Sequence, residues 1–160
     1  MQASTYRVSD VMTRDVMTLS EENDLGLSDA IFGFGSFRHL PVVRGGRLVG
    51  LVTQRDLLRC MAQHGLAQAK SKRVGDVMTR RLRTVAASTP LREAARLFTE
   101  HKIGCLPVVG ADDTLEGIVT EADIARFTTR LLTDLDQLTA AMSQLSAPRR
   151  PRRHDRKEVR

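Results

Sequence analysis

The 160-residue chain has no tryptophan, one tyrosine and five phenylalanines, so aromatic rings contribute little to its interior. Its core must come mostly from Val, Leu, Ile, Met and Ala. Long apolar runs are also missing: the strongest, such as Leu48 to Val52, fall far short of the roughly 20 residues that cross a bilayer. Met1 to Tyr6 does not read as a secretory leader, and no membrane insertion is expected. A soluble, cytoplasmic protein is the expectation. The two cysteines, Cys60 and Cys105, form neither a CxxC pair nor a disulfide framework, so two free thiols in a reducing compartment are expected.

Catalytic signatures are lacking as well. There is no Ser-His-Asp order, no Gly-rich phosphate loop and no zinc-protease helix. The spacings Cys60-x-x-x-His64 and His101-x-x-x-Cys105 suit one helix face, but no further Cys or His completes a four-ligand set nearby. The expectation is therefore no enzyme, no metal and no catalytic cofactor, in a chain too short to hold a separate catalytic domain beside its other parts. The net charge of +6 suggests nucleic acid until it is located. Pro148 to Arg160 holds seven basic residues against Asp155 and Glu158, a net of +5, which leaves +1 for the other 147 residues.

What the chain does contain is a repeat. Val11-Met12-Thr13-Arg14 recurs as Val77-Met78-Thr79-Arg80, and Leu40-Pro41-Val42-Val43 as Leu106-Pro107-Val108-Val109, both at an offset of 66. After one extra residue near Asp112 or Asp113, Gly50, Val52, Thr53, Asp56 and Arg59 match Gly117, Val119, Thr120, Asp123 and Arg126. Each copy opens with a short helical lead-in (8–12, 74–78) and an extended stretch (16–19, 82–85). A helix follows, starting near Asp24 or near Pro90, where Pro suits a first turn. Leu91, Ala94, Ala95 and Phe98 give that second helix a buried face. Two hairpins come next, turning at Gly45-Gly46 and Asp112-Asp113, and a helix leaves each at Thr53 or Thr120.

The fold class is therefore α/β (α+β): β-α-β-β-α twice, with the apolar faces of two marginal units buried against each other. The divisions are an N-terminal segment 1–7, a first repeat 8–66, a second repeat 67–130, a helical extension 131–146 and a disordered basic tail 147–160. Gly33-Phe34-Gly35-Ser36 interrupts the first helix, as a loop with packed Phe residues or as a hinge.

The sharpest motif is Gly-hydrophobic-Val-Thr-x-x-Asp, at 50–56 and 117–123. Two readings stay open. Thr followed three residues later by Asp is a capping box for the next helix. Alternatively, the carboxylate accepts hydrogen bonds from both ribose hydroxyls of a nucleotide, with the Thr hydroxyl and first-turn amides near phosphate.

As a repeated set, Val-Met-Thr, Leu-Pro-Val-Val and Gly…Thr-x-x-Asp resemble the cystathionine-β-synthase (CBS) domain family over residues 8 to 130. The resemblance implies a pseudo-twofold tandem with two clefts that bind adenosine compounds (AMP, ADP, ATP or S-adenosylmethionine) to regulate an attached or associated protein. It places Asp56 and Asp123 on ribose, and Thr53 and Thr120 beside sugar or phosphate. Arg38, His39, Leu40 and Pro41 would line one cleft, and Gly104, Cys105, Leu106 and Pro107 the other. Main chain near Thr18 and Thr84 would hold the adenine edge. The copies differ: Arg38, His39 and Arg55 in the first stand where the second has Gly104, Cys105 and Ala122, so the first offers phosphate more positive charge. A structural module for dimerisation or partner binding, in which Thr and Asp only cap helices, is the alternative.

Beyond the repeat, Ile124, Phe127, Leu131, Leu135, Leu138, Met142 and Leu145 predict one helix from about Glu121 to Leu145 with a continuous apolar stripe. That stripe either folds back on the chain or meets a second copy in a homodimer, the expected assembly. The arginine-rich tail reads as a solvated segment. Nucleic acid could bind there through charge alone, since no aromatics accompany it.

Overall fold

The structure is a computed structural model that describes residues 6–35 and 37–145. The predicted basic tail lies outside the described residues. The chain forms two compact units, the first ending at Ala125 and the second beginning at Arg126.

The first repeat, and the second as far as Ala125, lie in the first unit. A 3-10 turn at Val8–Asp10 leads to α1 (Leu25–Phe34), the hairpin β1 (His39–Arg44) and β2 (Arg47–Thr53), and α2 (Gln54–His64). A short α3 (Leu66–Lys70) connects to α4 (Val74–Val77), α5 (Leu91–His101), the hairpin β3 (Cys105–Val109) and β4 (Leu115–Thr120), and α6 (Glu121–Leu145). The hairpins turn where the sequence places them, with positive φ at Gly45, Gly46 and Asp113. Each carries the same irregularity, between Val42 and Val43 and between Val108 and Val109, as copies of one unit should.

Three local expectations are corrected. The extended stretches before α1 and α5 are not full strands. Each makes a single parallel bridge, Leu19 to Val42 and Val85 to Val108, because only one residue on each side reaches the hairpin edge. Pro90 sits one residue before α5, as its extended N-cap (ψ 133°), rather than in the first turn. The Phe residues around Gly33 and Gly35 do not all pack: Phe32 is buried, while Phe34 is 94% exposed where the helix runs out at Gly35.

Cross-pairing of the copies is the feature that organises the fold. Thr79, in the second lead-in, exchanges both backbone hydrogen bonds with Leu51 of β2 (2.9 and 3.0 Å). Thr13, in the first, does the same with Ile118 of β4 (both 2.9 Å). Those contacts are reciprocal at the repeat offset, as are the bridges Arg7 to Pro90 and Asp24 to Arg73, which gives the pair its pseudo-twofold symmetry. Each lead-in therefore fills the other copy's core. Val74 and Met78 pack with Leu25, Phe32, Leu40, Val52 and Leu57, whereas Val8 and Met12 pack with Phe98, Leu106 and Val119. Burying each such side chain contributes on the order of 1.5–3 kcal/mol, so neither copy completes a core from its own residues.

The exchange also explains the glycine in each motif. A Cβ on Gly117 would lie 2.6 Å from the backbone oxygen of Thr13, and one on Gly50 would strike the Met78 side chain. Backbone cannot swing aside, but a Met side chain can. Gly117→Ala is accordingly expected to destabilise by about 2–3 kcal/mol and Gly50→Ala by roughly 1 kcal/mol. Urea unfolding of the two variants checks this, and equal losses would contradict it.

The second unit is the helical continuation of α6. Leu132, Leu135, Leu138 and Met142 are all more than half exposed there, which leaves an apolar face along successive turns.

Candidate functional site

β1 and β2 end together, His39 opposite Thr53, and β3 and β4 do the same, Cys105 opposite Thr120. The amide of Gln54 donates to the Arg38 carbonyl (3.0 Å) and that of Glu121 to the Gly104 carbonyl (3.3 Å). These bonds fasten the residue before each first strand to the start of the helix leaving the second. Leu19 donates to the Pro41 carbonyl and Val85 to the Pro107 carbonyl, which brings Thr18 and Thr84 to the same ends, both exposed.

At the first junction the Thr53 backbone N–H (2.9 Å) and hydroxyl (2.6 Å) both donate to Asp56 Oδ2, and the Asp56 amide donates to Thr53 Oγ1 (3.2 Å). The second repeats this with Thr120 and Asp123 at 2.8, 2.6 and 3.3 Å. The capping box is thus formed in both copies. It occupies one carboxylate oxygen of each Asp. Asp56 Oδ1 has a long ion pair with Arg59 (3.6 Å), and the Asp56 side chain remains 13% exposed.

The other sequence-derived residues divide by burial. Leu40, Pro41, Leu106 and Pro107 are each less than 2% exposed and belong to the cores, so their side chains have no surface to offer a ligand. Cys105 is also buried, packed with Leu51 and Ile118 where the copies meet. Burial pushes its thiol up to about 12. Cys60 is buried as well. Neither thiol should react with Ellman's reagent in the native protein at pH 8, and both should do so in guanidinium. Rapid native labelling would contradict the packing.

Arg38 and Arg55 are exposed, and His39 is half-buried beside them. Neither guanidinium has an ion-pair partner among the described residues. Desolvation first, then the charges of Arg38 and Arg55, hold His39 below the usual histidine pKa, while Asp56 opposes them. The ring reaches across to the second copy: its Nε2 lies 3.3 Å from where a Cβ on Gly104 would be, and Glu121 Oε2 lies 3.9 Å from that point. One end of the first sheet thus gathers two exposed guanidiniums and His39 beside the Asp56 and Glu121 carboxylates. Its counterpart has Gly104, Cys105 and Ala122 instead. Among the described residues no group of three or more His, Cys, Asp or Glu could hold a metal ion, and no helix is long and apolar enough to cross a membrane.

Reading the sequence missed a groove of about 220 Å³ lined by Asp56, Arg59 and His64 of α2 together with Lys72 and, in the second lead-in, Asp76. Periodicity cannot say which sheet a lead-in joins. Small residues at Gly50 and Gly117 are the one hint that something passes close by.

Residues 8–63 and 74–129 each match the CBS domain. The chain belongs to the CBS domain family. The two matched segments frame α3 as the connector of a CBS pair. Among curated proteins the pair is 34% identical over 120 residues to a homoserine O-acetyltransferase of Methanococcoides burtonii, covering 74% of this chain and 23% of that one. It thus spans about a quarter of that relative's length. Among solved structures it is similar to CBSX2 in complex with AMP (33% identity, TM-score 0.70, 79% of this chain and 98% of that one). It is also similar to the CBS pair of MJ0100 in complex with 5′-methylthioadenosine and S-adenosyl-L-methionine (27% identity, TM-score 0.71, 78% and 97%).

Proposed function

We propose that this CBS pair is a regulatory module that binds an adenosine nucleotide at the first-repeat junction and carries no catalysis of its own. The observation that supports it most is that Arg38 and Arg55, whose charges act on His39 next to Asp56, have no ion-pair partner among the described residues. Clustered guanidiniums without carboxylate partners suit a phosphate, which accepts several charge-assisted hydrogen bonds. In this reading Asp56 takes the ribose hydroxyls and main chain near Thr18 the adenine edge, with the phosphate toward Arg38, His39 and Arg55. At the second junction Asp123, Thr120 and Thr84 stand in the same frame. Gly104, Cys105 and Ala122 stand there in place of Arg38, His39 and Arg55, which suits the uncharged or cationic end of a ligand such as S-adenosylmethionine.

Ligand complexes of CBSX2 and MJ0100 lend the reading weight, since both contain adenosine compounds. We further propose that the protein works as a homodimer through the exposed face of α6 and transmits ligand occupancy to a protein partner. A thermal-shift panel tests the ligand class. AMP, ADP, ATP or S-adenosylmethionine at a hundred times its Kd should stabilise the fold by about 2.7 kcal/mol. Guanosine and cytidine nucleotides at the same concentration should give less. Equal shifts with all bases would refute adenosine selectivity.

A further inference from the structure

His39 stands apart from every other residue of the junction because its charge can change near neutral pH. Its pseudo-symmetric counterpart, Cys105, is shut into the apolar contact between the copies and cannot do the same. On the first copy's side His39 lies opposite Thr53, and the charges that act on its ring are Arg38, just before β1, and Arg55 and Asp56 at the start of α2. On the second copy's side it lies against Gly104, whose lack of a side chain leaves it room, with Glu121 at the start of α6 close by. Partial burial first, and then the two cations on one side, favour the neutral ring. A phosphate dianion set between Arg38 and Arg55 would reverse that balance: it offsets both guanidiniums and gives the ring N–H an acceptor. Partial burial strengthens the coupling, because screening by water is weaker there.

We infer that His39 is the residue by which the site distinguishes a phosphorylated adenosine ligand from an unphosphorylated one, and that it does so by taking up a proton as the phosphate binds. The inference rests on the nucleotide reading above. Its sign follows from linkage: a group whose pKa rises on binding strengthens binding as pH falls through the window between its free and bound values. In the free protein His39 lies below the ordinary histidine value, so AMP affinity should rise as pH is lowered from 8 to 6.5. Keeping above pH 6.5 limits protonation of the phosphate itself, whose second pKa is near 6.

The experiment is titration calorimetry of the full chain with AMP at pH 7 in two buffers of different ionisation enthalpy, with adenosine as the control. AMP should bind with net proton uptake and adenosine with none. His39→Gln should still bind AMP, more weakly, with the uptake gone. Titration of the assigned His39 ring signal by NMR, with and without AMP, reads the same event in the unaltered protein and should show its pKa raised by about one unit or more. AMP binding without uptake, uptake unchanged in His39→Gln, or an unmoved His39 titration would overturn the inference and leave the nucleotide reading standing. Absence of any AMP binding would remove both.

Discussion

Asp56→Ala is expected to weaken AMP binding by about tenfold to a hundredfold while lowering stability by only about 1 kcal/mol. The two effects have different origins in one carboxylate. Oδ2 accepts the Thr53 amide and hydroxyl, so its loss removes a helix cap in the ordinary range of such caps. Among the described residues Oδ1 has only a long contact with Arg59, which on the proposed reading leaves it for a ribose hydroxyl. A hydrogen bond to a charged acceptor is typically worth about 1.5–3 kcal/mol, which sets the expected loss of affinity. Asp123→Ala should cost more stability, because Asp123 is only 7% exposed. Calorimetry and urea unfolding on the same preparations separate the terms. Lower stability with unchanged affinity for every adenosine compound would favour the rival account, in which both junctions are caps of a structural module.

Leu135→Asp combined with Leu138→Asp is expected to turn a dimer into a monomer. Leu131, Leu135, Leu138 and Met142 recur at four, three and four residues along α6, the spacing of a two-helix seam. Leu135 and Leu138 are 58% and 61% exposed, so removing them disturbs little within their own unit. Burying each leucine against a second copy contributes on the order of 1.5–3 kcal/mol, and a buried carboxylate there would oppose association. Sedimentation equilibrium should give about twice the 17.8 kDa chain mass for the unaltered protein at micromolar concentration, and a single chain mass for the variant. A monomeric unaltered protein would refute the seam.

The tandem organisation was legible because repetition needs no physics to detect: two tetrapeptides at one offset define two units before any secondary structure is assigned. The hairpins, their turns and the Thr-x-x-Asp junctions followed from local chemistry, as Gly45-Gly46 and the capping boxes illustrate. Local chemistry does not reveal which copy a segment joins. Val8–Met12 and Val74–Met78 read as openings of their own repeats, and only the backbone pairing of Thr13 with Ile118 and of Thr79 with Leu51 assigns them to the other core. The same limit hid Lys72 and Asp76 beside Asp56, and the reach of His39 to Gly104. Burial was the other obstacle. Leu40 and Leu106 stand next to polar site candidates in sequence, but alternation along a strand turns them inward.

Titration calorimetry of the unaltered full chain with AMP, ADP, ATP and S-adenosylmethionine tests the central claim most directly. Nucleotide sensing at these junctions predicts submillimolar binding of at least one of the four, weakened in the Asp56→Ala, Asp123→Ala double variant. No heat and no thermal shift with any of them would contradict it.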